Sequence, residues 1–272
     1  MITYPNAKIN LGLNVVKRRQ DGYHNIETIF YPIGLYDELN VSPSNARYDY
    51  YFSSEGIKIS GNPEKNLIIK ALRLVKEQYP IPPIDIFLDK KIPFGAGLGG
   101  GSSNAAFMLK SLNELFNLNI PTEKLEKMAA KIGADCPFFI ENKPVFATGI
   151  GNVFAPVDLT LQSYWLLLVK PDIHVSTPEA YAGVTPAAAK TVLTELIKNP
   201  IEDWKNNIFN DFEKSVFTKY PVIGELKKQM YGLGALYASM SGSGSSVYGI
   251  FGVKPESEEL KRKYKHVFTI KL

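Results

Sequence analysis

Apolar and polar positions alternate in short runs over residues 7–16 and 26–41, a period of two that predicts β-strands. The charged, turn-like segment between them, Lys17 to His24, predicts an exposed connection. Ile68, Ile69, Leu72 and Val75 repeat at helical spacing, and Ile84, Ile86 and Leu88 return to strand alternation. Ala105, Ala106, Leu109, Leu112 and Phe116 form one apolar helical stripe. Pro121-Thr122-Glu123 opens a further short helix, which Gly133 should stop. Trp165 to Val169 is a continuous apolar run, as expected of a buried strand. Beyond it the pattern predicts helical pieces at 187–198 and 221–230, and strands near 235–239 and 246–251. A last helix at 256–265 and a terminal strand ending at Leu272 complete the series. No repeat or long linker interrupts it. A composition shift near residues 149–156 sets the expected boundary between two α+β halves, 1–153 and 154–272.

With 272 residues, 45% of them hydrophobic and 21% charged, the chain has the make-up of a soluble globular protein with an ample core. A net charge of +4 favours anionic ligands but falls far short of a dedicated nucleic-acid binder, and the basic run at 261–263 reads as a solvated face. One cysteine, Cys136, excludes an intramolecular disulfide and suits a reducing cytosol. The N-terminus lacks a signal-peptide pattern. No run reaches the ~18 apolar residues of a membrane helix. A cytoplasmic location, with no membrane partner, is expected.

Candidate chemistry concentrates at residues 93–103, Pro-Phe-Gly-Ala-Gly-Leu-Gly-Gly-Gly-Ser-Ser, between the strand at 84–88 and the helical stripe at 105–116. Glycines let backbone amides approach a ligand, and a helix N-terminus adds unpaired N–H groups and a positive dipole end. Together they make a phosphate site. A P-loop would need a lysine after its last glycine, whereas Ser102 follows Gly101. Gly95, Gly97 and Gly100 satisfy dinucleotide-binding spacing, but the acidic residue expected about 20 positions on is matched only by Glu114, inside the helix.

A third reading comes from likeness. Pro93 to Gly99 followed by Ser102-Ser103-Asn104-Ala105-Ala106 resembles the phosphate loop of the GHMP kinase superfamily. The extra Gly100 and Gly101 are similar to the branch acting on 4-diphosphocytidyl-2-C-methyl-D-erythritol. Pro5-Asn6-Ala7-Lys8-Ile9-Asn10-Leu11, Asp21-Gly22-Tyr23-His24 with Ile29-Phe30, and Gly133-Ala134-Asp135-Cys136-Pro137 resemble other segments of that branch. So do Ser176-Thr177-Pro178, Asn210-Asp211-Phe212-Glu213 and Ser241-Gly242-Ser243-Gly244, all in the right order.

The resemblance implies an α+β fold of two GHMP kinase domains, the first like ribosomal protein S5 domain 2 and the second ferredoxin-like. It implies ATP as donor, with Mg²⁺, and a small-molecule acceptor linked to cytidine diphosphate. ATP would be held by Pro93, Phe94, Gly95, Ala96, Gly97, Leu98, Gly99, Gly100, Gly101, Ser102 and Ser103, with Lys90 near the adenine. Lys8 would supply a cation, and Asp135 would accept or orient the acceptor hydroxyl's proton. Tyr23 and Tyr181 would stack on cytosine, Asn10 and His24 would hydrogen-bond the acceptor, Phe30 would line the pocket and Thr177 would touch the acceptor. The family more often carries Phe at the position of Tyr181.

Each residue also has an ordinary explanation. Ser102 and Ser103 are plausible N-caps, Asp135 a helix stop, and Ser241 to Gly244 a tight turn. Tyr23 and Tyr181 could be half-buried aromatics, and Cys136 a small core residue. His24 has the ordinary reading of a turn or core histidine, and His174 and His266 show no metal-like spacing, so no residue is assigned as a metal ligand. A mevalonate, homoserine or sugar kinase, or a non-catalytic nucleotide or RNA binder, is the alternative. The interspersed acids and bases speak against nucleic acid.

Overall fold

Alternation near the N-terminus is realised as strands β1 (Ile2–Thr3), β2 (Asn6–Arg18), β3 (His24–Tyr36) and β4 (Glu38–Pro43) of the computed structural model, which describes every residue except Ala46, Ser60 and Lys190. There follow β5 (Tyr50–Gly56), α1 (Leu67–Lys76), β6 (Ile84–Lys90), α2 (Gly100–Leu115), α3 (Thr122–Ile132), α4 (Phe138–Glu141), β7 (Val145–Thr148) and β8 (Val153–Pro156). The remainder comprises β9 (Trp165–Lys170), α5 (Thr177–Ala182), α6 (Leu193–Leu196), α7 (Ile201–Asn207), α8 (Phe212–Lys219), α9 (Pro221–Gly232), β10 (Tyr237–Met240), β11 (Val247–Phe251), α10 (Glu258–Lys263) and β12 (His266–Lys271).

Two compact units result, each drawn from separate stretches of chain. One comprises Met1–Ala7, Leu35–Phe94 and Gly99–Lys143; the other comprises Lys8–Gly34, Gly95–Leu98 and Pro144–Leu272.

In the first unit a four-stranded sheet runs β1-β4-β6-β5, with β5 parallel to β6 and the other pairs antiparallel. Leu39 faces Leu88 across β4 and β6, and Ile84, Ile86 and Leu88 are buried in step with their alternation. Helices α1 to α4 pack on one another, and α2 lies against β4. The predicted stripe of α1 is its buried face, and Asn66 caps the helix by accepting the Ile68 N–H at 3.0 Å. Burial of each such aliphatic side chain contributes about 1.5–3 kcal/mol.

The second unit holds the sheet β2-β3-β7-β8 and the antiparallel sheet β10-β11-β9-β12. The latter has the strand order and β-α-β-β-α-β sequence of a ferredoxin-like fold. Leu167 and Val169 of β9 join Phe212, Val216, Ile223, Leu226 and Met230 of α8 and α9 in one core cluster. The fold is therefore α+β, as expected.

Local expectations need three corrections. Gly133 does end α3, but with φ −176 it is extended and makes no left-handed cap. Helix at 187–198 shrinks to the single turn of α6; Ala187 instead donates its N–H to Val15 O at 3.0 Å, and Lys190 lies outside the described residues. Ser102 and Ser103 are not caps of α2, because Gly99 holds that position.

Candidate functional site

The glycine loop owes its course to backbone conformations that side chains avoid. Gly95, Gly97 and Gly99 have φ of 57, 73 and 69, so every second residue is left-handed, a geometry that turns amides inward around an anion. Gly99 is the N-cap of α2 and no side chain caps the helix, which leaves its first amides for a ligand. Ser102 and Ser103 lie in the first turn, and the Ser103 hydroxyl is buried with no hydrogen-bond partner among the described residues. Left-handed glycines, a helix start without a side-chain cap and an orphaned buried hydroxyl are each features that suit an anion.

In the first unit, Lys90 closes β6 with its side chain almost wholly buried, its ammonium 2.5 Å from Asp37 Oδ2 and 5.2 Å from the ring centre of Phe94. Burial pushes the Lys90 pKa down while Asp37 works against that shift. Pro93 is buried and Phe94 exposed. Asp135 follows the extended Gly133 at the end of α3 and is half-buried, beside the fully buried Cys136. Desolvation pushes the Cys136 thiol up to about 11, with a Ser102 hydrogen bond opposing and the Asp135 charge adding to the rise. It is a core thiol, not a nucleophile.

In the second unit, Lys8 and Asn10 share one face of β2 by the period of the strand. Lys8 is 3% exposed; its Nζ donates to Asn10 Oδ1 at 2.6 Å and lies 4.5 Å from the centre of the buried Phe30 ring. Asn10 Nδ2 donates to Thr28 Oγ1 at 2.9 Å, so both ends of this amide are engaged within the protein. The main chain is fixed as well: Lys8 N–H donates to Leu98 O at 3.0 Å, and Tyr248 donates its hydroxyl to Asn10 O at 2.7 Å.

Ser241 Oγ donates to Gly97 O at 2.8 Å, bringing the Ser241–Gly244 segment against the tip of the loop. A Cβ on Gly97 would run into the Ser241 carbonyl oxygen, so only glycine permits this approach. Asn210 holds the segment from its other side. Its Nδ2 donates to Met240 O and Gly242 O, each at 2.8 Å, while its Oδ1 accepts Phe212 N–H at 3.0 Å. Glu213 Oε1 accepts Met240 N–H at 2.8 Å, and its Oε2 lies 2.6 Å from Lys227 Nζ. Asp211 Oδ2 accepts Val15 N–H at 2.7 Å. The sequence marks residues 210–213 as a landmark but gives them no role, and it passes over Asp37. Apart from Phe212 and Lys227, their partners lie tens of residues away, beyond the reach of any local pattern.

Tyr23 stands 62% exposed at the end of a turn in which Asp21 accepts its N–H at 3.1 Å. The hydrogen bond from Arg19 holds the Asp21 carboxyl below its ordinary range. His24 stacks on Tyr181 with centroids 4.8 Å apart and planes at 16°, and Tyr181 meets Phe212 edge-on at 4.9 Å. Thr177 Oγ1 lies 3.3 Å from Ser243 Oγ. Tyr181 is thus paired with His24, and Tyr23 projects into solvent beside that pair in sequence.

Comparisons with known proteins give one answer. Residues 66–143 match the family "GHMP kinases N terminal domain" and residues 192–269 match "GHMP kinases C terminal". A Bacteroides fragilis protein named 4-diphosphocytidyl-2-C-methyl-D-erythritol kinase is 56% identical over 98% of this chain and 97% of its own length. One of the same name from Parabacteroides distasonis is 60% identical over 92% of each. A crystal structure of 4-(cytidine 5'-diphospho)-2C-methyl-D-erythritol kinase superposes with a TM-score of 0.84 at 29% identity, covering 99% of this chain and 98% of that one. With its loop, its two matched domains and its relatives in agreement, the chain belongs to the GHMP kinases, in the branch of the 4-diphosphocytidyl-2-C-methyl-D-erythritol kinases.

Proposed function

We propose that this chain transfers the γ-phosphoryl group of ATP to the 2-hydroxyl of 4-diphosphocytidyl-2-C-methyl-D-erythritol, giving the 2-phosphate and ADP, in cytoplasmic isoprenoid precursor synthesis by the non-mevalonate route. The observation that carries this reading is 56% identity over 98% of the chain to the Bacteroides fragilis kinase of that name.

Phosphoryl transfer asks a protein mainly for positioning and charge stabilisation. The amides of residues 95–101 hold the donor phosphates, with Ser102 and Ser103 at the helix start. Lys8 supplies the cation for the transferring group, a role supported by the way Asn10 and Phe30 fix its ammonium. As the acceptor oxygen bonds to phosphorus and ADP departs, Asp135 takes or orients the hydroxyl proton. A loose transition state makes little demand on that step. Tyr23 and Tyr181 provide flat faces for the cytosine, His24 hydrogen-bonds the acceptor, and Thr177 reaches it. Lys90 serves the adenine end of the loop. Among the described residues no three His, Cys, Asp or Glu side chains cluster to hold a metal. Mg²⁺ is usually held by one or two carboxylates, water and substrate phosphates. Its chemistry when present is to neutralise charge on the phosphate oxygens.

The test is ADP release with Mg-ATP and the cytidine-linked acceptor, beside mevalonate, homoserine and galactose. Turnover with the cytidine acceptor alone is expected; turnover with another acceptor instead sinks the substrate assignment. Asp135→Asn should lower kcat by about a hundredfold or more while ATP still binds. Near-normal kcat removes Asp135 from the chemistry.

A further inference from the structure

We propose that Asp37 is a positioning residue for the nucleotide loop, a single buried carboxylate that fastens the chain on both sides of residues 93–103. The inference rests on the ATP reading above.

Asp37 stands between β3 and β4 and is 1% exposed. Its Oδ1 accepts the backbone N–H groups of Lys91 at 2.7 Å and Ile92 at 2.8 Å, the last two residues before the loop. Its Oδ2 accepts Lys90 Nζ at 2.5 Å and Asn104 Nδ2 at 2.8 Å. Asn104 is the fifth residue of α2, just past the loop. Four donors therefore converge on one carboxylate, three from the end of β6 and its exit and one from the helix that receives the phosphates.

Energetics make the arrangement stiff. A carboxylate and an ammonium taken out of water each lose several kcal/mol of solvation, recovered only by well-placed partners. The geometry has no slack for α2 to slide along β6 without stranding a buried charge or a buried amide. Pairing with Asp37 also matters electrostatically. A lone ammonium next to a helix N-terminus would oppose the dipole, whereas the pair is neutral.

Gly100 belongs to the same device. A Cβ there would lie 3.0 Å from Lys90 Nζ and 2.7 Å from Ile92 Cγ2, so the helix starts where it does because nothing projects onto the ion pair. Gly100, one of the two extra glycines of this loop, thus provides room for the buried lysine. Lys90 accordingly bears on the loop through its pair with Asp37.

The experiment compares Asn104→Ala, Asn104→Asp, Asp37→Asn and the exchange variant carrying both Asp37→Asn and Asn104→Asp. Mg-ATP affinity is read by calorimetric titration, and KM for ATP and for the cytidine-linked acceptor by ADP release. Asn104→Ala removes one of the four donors and keeps the Lys90–Asp37 ion pair and both backbone bonds, so it carries the test if Asp37→Asn does not fold. Expected is a rise of about tenfold in Kd and KM for ATP with the acceptor KM unchanged, one lost charge-assisted hydrogen bond being worth about that factor. Asn104→Asp should be worse, because two carboxylates then face each other, and the exchange variant should recover part of the loss. Thermal destabilisation with unchanged ATP affinity, or equal losses for ATP and acceptor, overturns the proposal and leaves a purely structural cluster. If the unaltered protein binds no Mg-ATP, the loop reading falls and the proposal with it.

Discussion

Replacing Asn210 with alanine would remove the clamp on the serine-glycine segment at residues 241–244, and its cost follows from three contacts. Asn210 is 3% exposed, so whatever it releases stays in a buried place. The carbonyls of Met240 and Gly242 and the N–H of Phe212 each lose a partner now 2.8–3.0 Å away. At about 1–3 kcal/mol per stranded group, with carbonyls towards the cheap end, the sum is roughly 3–5 kcal/mol. At about 2–4 °C per kcal/mol that corresponds to a fall in Tm of about 6–20 °C. Differential scanning calorimetry measures it, and ADP release should show a raised KM for ATP, because Ser241 holds Gly97. Asn210→Asp keeps the acceptor for Phe212 but turns a charge on the two carbonyls, so it should be at least as harmful at pH 8. A fall below about 2 °C for alanine, or a milder effect of aspartate, refutes the reasoning.

Two further predictions concern ionisation. Cys136, fully buried with its pKa pushed up to about 11, is almost all thiol at pH 8, so Ellman's reagent should react about a hundredfold more slowly with native protein than in guanidinium; equal rates would place the thiol at the surface. Desolvation raises the Asp211 carboxyl above its ordinary value, against the Val15 N–H bond, so the native state loses stability as pH rises from about 4 towards that folded value. Asp211→Asn keeps an acceptor for Val15 and escapes this loss. Its Tm relative to the parent should therefore grow between pH 4 and 7, and a flat difference would contradict the assignment.

Elements whose own periodicity decides their packing are the ones the sequence reveals. Ile68, Ile69, Leu72 and Val75 predict α1, and Ile84, Ile86 and Leu88 predict β6, because each stripe meets a core directly. The Ala-rich stretch at 187–189 favours helix by propensity, yet Ala187 pairs with Val15, a tertiary override of a weak local preference. The edge strand β5 reads Tyr-Tyr-Phe-Ser-Ser-Glu-Gly and is mostly exposed or half-buried, so it carries no burial alternation to find. Helices α7 and α8 bury only two or three side chains each, too few for a stripe. At the site, the glycine spacing of the loop was legible because each glycine answers a local backbone demand. The work of Asp37, Asn210 and Glu213 was not, since it consists of contacts with residues 104, 240 and 242, far along the chain.

The order β10-β11-β9-β12 carries a consequence for biosynthesis. Leu166 to Val169 of β9 are wholly buried and paired on one side with β12, whose first residue, His266, is made long after Lys170. At roughly 5–20 residues per second the ribosome leaves that apolar flank uncovered for about 5–20 seconds. A bare hydrophobic strand edge is a template for association with other nascent chains. Lys170 at the end of β9 sets one charge beside that flank, the kind of residue that disfavours such association. A premature stop ahead of His266 would make the exposure permanent, so such truncations should be selected against through proteostasis even though they leave every candidate catalytic residue in place.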